Sequence, residues 1–352
     1  MNKKPLLFKV SLDEKILFLK NLSLLLKSGL SLVDSLTIIE NYQKSASLKY
    51  IISQVKNDVQ RGQFLANSLN KFKNIFGDFF ISVIKVGEIS GNLIDNLEKL
   101  ADEMKKIEKL RRKFISTMIY PAFIMGVMII IIIFIIYYIF PKLLPIFKNL
   151  NIDLPKTTII FLAVSNFMIN YSLHIIITII ALIITIFFLN TKPKTKYFLD
   201  LLILKIPLIS SLIKKYNLAQ FSRSLSLLIK SGMKIVEAIE LSAKSLNNEV
   251  YKNKLIQAAN FVLAGHTFNE FLTKNQNIFY YNFIKMIEIG EKTGNLEQNL
   301  VYLSNNYEEE LDMEIERFVS LLEPFILIIM AFIVGFMALS IVTPIYELSN
   351  KI

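Results

Sequence analysis

The sequence predicts an all-α integral membrane protein made of two repeated helical-bundle domains and three transmembrane helices. Three observations predict it. Long stretches carry no charge, one register recurs across most of the chain at a fixed offset, and apolar residues recur at helical spacing with no alternating strand pattern.

The first domain spans 1–113. Leu22, Leu25, Leu26 and Leu30 recur at helical spacing, and Gly29 stands where a helix C-terminal cap belongs. Ser31-x-x-Asp34 then reads as the N-cap of a second helix. A third helix is expected over about 45–61, ending at Gly62, a fourth to about Asn70, and a fifth from Phe76 to Val86. The run Gly87-Glu88-Ile89-Ser90-Gly91-Asn92 breaks the pattern, and Leu93 opens a long helix that reaches the membrane. Each domain is expected to hold about five or six helices.

The first span covers 114–140, centred on Met128-Ile129-Ile130-Ile131-Ile132-Ile133. Residues 141–168 form a short outer loop with Pro141, Pro145 and Pro155, then an interfacial helical stub containing Ser165 and Asn166. The second span is 169–190. The second domain occupies 191–323, the third span 324–343, and a short tail 344–352. Arg111, Arg112 and Lys113 precede the first span, and Lys192, Lys194 and Lys196 follow the second, so both domains are expected in the cytoplasm. The N-terminus lacks the apolar core of a signal peptide, which places it inside and the C-terminal tail outside.

The repeat is read directly. FLKNLSLLLKSGLSLV from Phe18 matches FSRSLSLLIKSGMKIV from Phe221, an offset of 203. The offset then holds without a gap. It takes Gly29 to Gly232, Gly62 to Gly265, Gly87-Glu88 to Gly290-Glu291, Gly91 to Gly294, Pro121 to Pro324 and Pro141 to Pro344. The unit is a domain plus the span after it, used twice.

Composition removes much chemistry. Cysteine is absent and the histidines are His174 and His266 alone, so thiol chemistry, cysteine metal sites and histidine triads have little to build on. No catalytic residue, metal or cofactor is expected. The net charge is +11, but residues 1–113 hold 20 Lys and Arg against 12 Asp and Glu, while 192–323 hold 16 against 15. That distribution fits membrane placement better than a polyanion surface, and no nucleic-acid binding is expected.

The paired GE-x-x-G-N-L segments are the sharpest local signature. Two glycines four apart suggest positive backbone angles in a turn between antiparallel helices, with Asn92 or Asn295 capping the next helix. A purely structural turn and a partner-contacting loop both remain open. Gly290-Glu291-Lys292-Thr293-Gly294 is not a phosphate loop, since no glycine precedes the lysine and no strand precedes the segment. Glu323-Pro324 and Tyr120-Pro121 read as helix starts or kinks at the membrane surface, with Glu323 alternatively contacting another span or subunit. His174 reads as an interhelical hydrogen bonder and His266 as solvated. Apart from Glu323 the spans hold no Asp, Glu, Lys or Arg, which argues against the coupling chemistry of a transporter or channel subunit, the main alternative.

The doubled L-x-x-L-L-x-S-G, mid-domain glycine, GE-x-x-G-x-L and E-P pattern, with Leu154-Pro155-Lys156-Thr157 ahead of the second span, resembles the type II secretion F / type IV pilus inner-membrane platform family (GspF/PilC) over about 11–350. The resemblance implies a non-enzymatic bacterial inner-membrane protein that oligomerises at the base of a pilus or pseudopilus. It implies coupling of a cytoplasmic assembly ATPase to pilin or pseudopilin transmembrane helices, beside other inner-membrane assembly proteins and membrane lipid. Protein secretion, pilus assembly and DNA uptake in competence are the functions such proteins serve.

Overall fold

The computed structural model describes residues 10–139, 141–142, 145 and 156–349. Every regular element among them is helical. They fall into two units, one drawn from residues up to 112 together with 197–313, the other from 113–196 together with 314 onward.

In the first unit, repeat 1 supplies α1 (Leu12–Lys27), α2 (Leu32–Tyr42), α3 (Ala46–Gln60), α4 (Leu65–Asn70), α5 (Lys73–Phe76), α6 (Asp78–Ser90) and the start of α7 (Leu93–Phe134). The local chemistry dictates the boundaries. Ser11 and Glu14 form a reciprocal capping box on α1, and the Asp34 N–H donates to the Ser31 hydroxyl at 3.1 Å on α2. Gly29 has φ +87°, and Leu30 N–H reaches back to the Leu25 carbonyl at 3.2 Å, closing α1. Gly62, Gly232 and Gly265 also hold positive φ, each just past a helix.

In the second unit, after α7, a π-helical turn runs Ile135–Ile139, followed by α8 (Lys156–Asn170) and α9 (Ser172–Thr191). Repeat 2 supplies α10 (Pro193–Ile203), α11 (Pro207–Lys230), α12 (Ile235–Lys244), α13 (Glu249–Leu263), α14 (Phe268–Lys274), α15 (Tyr281–Thr293) and α16 (Leu296–Ser349), with residues 197–313 in the first unit and α16 from 314 onward in the second. The two domains expected as separate bundles share one apolar core, which includes Leu19, Leu22, Ile52 and Leu97 of repeat 1 and Phe221, Leu228, Phe268 and Leu300 of repeat 2.

Two helices, Leu93–Ile139 with its π turn and Leu296–Ser340, are long and apolar enough to cross a membrane. A third span is counted if the pair Thr158–Asn170 and Ser172–Leu182, bent by 72°, is taken as one. Part of the segment expected as an interfacial stub falls on α8, which packs within its unit. The Thr158 hydroxyl donates to the Ser340 carbonyl at 2.9 Å, Tyr137 donates to the Met168 carbonyl at 3.2 Å, and Phe161 meets Met337. Pro121, Pro324 and Pro344 do not start helices. All three lie inside α7 or α16, where the missing N–H frees one carbonyl without ending the helix.

Inside this unit the repeat-equivalent residues Lys113 and Glu316 form an ion pair at 3.0 Å. An apolar groove of about 310 Å³ between α7 and α16 is lined by further equivalent pairs: Val127 with Met330, Ile131 with Val334, and Ile135 with Ala338. Residues 140, 143–144 and 146–155, with Leu154, Pro155 and most of the outer loop, lie outside the described residues.

Candidate functional site

The GE-x-x-G-N-L segments fold differently from the turn their spacing suggests. Gly87 and Gly290 lie inside α6 and α15, and the chain reverses only at Gly91 (φ +75°) and Gly294 (φ +72°). The inner glycines are there for clearance. A Cβ on Gly87 would come within 2.9 Å of Asn96 Nδ2 and 3.1 Å of the Leu93 Cα, and one on Gly290 within 2.9 Å of the Leu296 Cα. Each glycine therefore lets the long helix start hard against the helix before it.

Glu88 and Glu291 sit in the last turn of α6 and α15. Each reaches across to the first turn of a short helix whose N-cap residue makes no side-chain cap or caps elsewhere. Glu88 accepts from the Leu65 N–H at 2.5 Å and the Ala66 N–H at 2.8 Å, at the start of α4. Glu291 accepts from the Phe268 N–H at 2.8 Å and the Asn269 N–H at 3.0 Å, at the start of α14. A carboxylate there satisfies two otherwise orphaned donors and meets the positive end of the helix dipole.

Asn96 and Asn299 complete the motif, and sequence reasoning missed them. Asn96 Nδ2 donates to the Val83 carbonyl at 3.2 Å and Asn299 Nδ2 to the Met286 carbonyl at 2.9 Å, pinning α7 to α6 and α16 to α15. The signal was available, since the two asparagines are identical at the 203-residue offset. Asn92 and Asn295 contribute their carbonyls, to the N–H groups of Asn96 at 3.1 Å and Asn299 at 3.2 Å. Lys292, in the loop-like segment, pairs with Glu288 at 2.7 Å on the α15 surface.

A second constellation joins the repeats. The Arg223 side chain on α11 is 5% exposed and lies between Glu103 of α7, 2.6 Å from Nε, and Glu308 of α16. Burial pushes the Glu103 carboxyl up to about 7, against the opposing pull of Arg223 and Lys106. Lys106 reaches Asn305 Oδ1 at 3.3 Å, and Lys215 pairs with Glu310 at 2.9 Å. Ser231 of repeat 2 donates its hydroxyl to Asn96 Oδ1 at 3.1 Å. The position equivalent to Glu103 is Asn306, so nothing in the register announces this cluster.

Of the remaining expectations, Glu323 and Pro324 stand exposed on α16. His174 meets the Tyr171 ring edge-on at 5.8 Å between centroids. His266 is exposed, as expected, and also stacks on Phe261 at 4.3 Å. Among the described residues no group of three His, Cys, Asp or Glu side chains is placed to hold a metal. The arrangement is one of helix ends and inter-helix ties. It fixes where two long helices begin and ties them together through Arg223.

The sequence is similar to that of known proteins. The family model described as Type II secretion system (T2SS), protein F matches residues 18–141 and again 221–344. The chain is 29% identical over 338 residues to the type IV pilus assembly protein PilC of Thermus thermophilus, covering 96% of this chain and 83% of that protein. It is 27% identical over 339 residues to PilC of Pseudomonas aeruginosa, covering 96% and 90%. A third relative, the type II secretion system protein F of Aeromonas hydrophila, is 27% identical over 343 residues, covering 97% and 88%. With both modules matched in the register that the glycines and glutamates mark, the chain belongs to the type II secretion system protein F family.

Proposed function

We propose that this chain is a non-enzymatic assembly platform in a bacterial inner membrane, serving a type II secretion, type IV pilus or competence machine. The observation that carries the reading is the doubled module in which one uninterrupted helix continues from a bundle into an apolar segment: Leu93–Phe134 and Leu296–Ser349. A continuous helix transmits displacement without a hinge. In this reading both domains and the N-terminus face the cytoplasm and the C-terminal tail lies outside. A cytoplasmic ATPase acts on the bundles, and copies of the chain associate with one another and with other inner-membrane assembly proteins. The apolar groove between α7 and α16 receives a pilin or pseudopilin transmembrane helix, a fit supported by its wholly apolar lining.

The test is a two-glycine insertion after Lys106, in the part of α7 ahead of its apolar stretch. Glycines there lower helix stiffness at a cost of about 1 kcal/mol each. The expected outcome is loss of filament assembly or secretion with normal membrane insertion. Unimpaired assembly by that variant would remove the coupling role.

A further inference from the structure

The two repeats pack head to tail, and that leaves one half of the joint unfilled. Helix α11 of repeat 2 lies between two long helices. It pairs with its own α16 through Lys230 and Glu297 at 3.5 Å, and with α7 of repeat 1 through Arg223 and Glu103. Among the described residues its counterpart in repeat 1, α1, makes its ion pairs with α7, through Lys20 and Asp102 at 3.6 Å, Lys27 and Glu98 at 3.4 Å, and Asp13 and Arg112 at 2.5 Å.

Equivalent residues record the difference. Leu227 on α11 is 7% exposed, while Leu24, its equivalent on α1, is 63% exposed. The Arg223 side chain is 5% exposed and that of Lys20 is 41% exposed. Ser231 and Asn96 are buried against one another across the repeats, whereas the equivalent Ser28 is exposed and Asn299 half-buried. The cavity lined by Arg223, Ser226, Leu227 and Lys230 is closed on one side by Lys99, Glu103 and Lys106 of α7. A cleft lined by the equivalent Lys20, Ser23, Leu24 and Lys27 has no such wall from a second repeat.

The docking face of α7 likewise has an equivalent on α16. Lys99, Glu103 and Lys106 correspond to Tyr302, Asn306 and Glu309, of which Tyr302 and Glu309 are exposed. The chain thus carries an open socket on repeat 1 and an open plug on repeat 2, each shaped like half of a joint it already makes internally. Lys20 and Lys27 in the socket are already balanced by Asp102 and Glu98, as Arg223 and Lys230 are by Glu103 and Glu297, so the fit rests on the shape and register of the internal joint.

We propose that a second copy of this chain docks there, its α16 face from Tyr302 to Glu309 entering the α1 face from Lys20 to Lys27. Lys20 then meets Asn306 as Arg223 meets Glu103, and Ser28 meets Asn299 as Ser231 meets Asn96. A contact between two different faces repeats from copy to copy, as a ring where the rotation closes and as an open filament where it does not, whereas a two-fold contact stops at a dimer. The proposal deepens the platform reading by assigning the surface through which copies associate, and it rests on that reading only for placing both copies in one membrane.

The chain has no cysteine, which makes the test direct. Full-length Lys20→Cys and Asn306→Cys variants carrying different tags are co-expressed, and membranes are treated with a short bis-maleimide. The expected product is a covalent dimer bearing both tags, formed only when both variants are present. Absence of that dimer overturns the proposal, and so does an equal yield from Lys20→Cys alone, which would mean a face-to-face contact. Should Asn306→Cys lower the helical signal or the yield of protein, Glu309→Cys takes its place. Leu24→Glu in the Lys20→Cys copy should cut the cross-linked yield at least tenfold with unchanged melting temperature; an undiminished yield counts against the joint. The measurement uses no secretion or pilus assay, so normal cross-linking by a chain that supports no assembly would strike the platform reading instead.

Discussion

Gly87 and Gly290 show that a glycine can be required for the space beside it while its backbone stays helical. At Gly290 a methyl group would press on backbone at 2.9 Å, and backbone cannot swing aside as a side chain can. Gly290→Ala should therefore lower stability by about 1–3 kcal/mol, read as a drop in the melting temperature of detergent-solubilised protein. The spacing of the motif exposed the glycines but not their separate duties, because sequence alone cannot distinguish a residue chosen for positive φ, as Gly91 and Gly294 are, from one chosen for clearance. Glu103 offers a test of a different kind. Its carboxyl is raised from 4.5 to about 7, so between those values the folded state holds a proton that the unfolded state has released. Its contribution to stability is thus full below about 4.5 and declines as pH rises through about 7. Glu103→Gln should flatten that decline in a melting series from pH 4.5 to 7.5, while the parent chain keeps it.

Among the elements, helix ends were more legible than helix interiors. Ser31 and Asp34, and the glycines after α1 and α3, mark their boundaries through local hydrogen bonding that short sequence windows contain. The prolines misled because an aqueous helix rarely tolerates one inside, whereas α7 carries Pro121 between flanking turns that hold it in place. The π turn at Ile135–Ile139 has no signature in a run of isoleucines and tyrosines. The residues expected as stub and second span fall on α8 and α9, which are bent by 72° to one another, and α8 also packs against α16. One such contact can be removed singly. Thr158→Val deletes the hydroxyl donation to the Ser340 carbonyl and should cost about 0.5–1.5 kcal/mol, seen as earlier thermal loss of helicity in detergent.

For the whole molecule, the ungapped offset displayed the duplication, and with it the order of bundles and apolar segments. It concealed the asymmetry of the joint. Arg223 and Lys20 are both basic and look interchangeable in sequence, yet one is enclosed by Glu103 and Glu308 and the other is partly in solvent. Partners more than a hundred residues apart, drawn from different repeats and matched to Asn306 and Lys105 at the equivalent positions, leave no periodic trace. The proposed topology is checked at the same scale. Reporter fusions within 200–310 should be active only as cytoplasmic reporters, and activity of an outer-side reporter there would reverse the orientation.

The ion pair of Lys113 with Glu316 joins residues that occupy the same place in their repeats. If the halves were identical, that meeting would set ammonium against ammonium or carboxylate against carboxylate, and like charges at such range repel. Divergence at this one position turns repulsion into attraction and so favours unlike halves over a replica by the modest amount a partly exposed pair provides. A chain carrying either half twice would thus lose the complementarity by which the present halves recognise one another.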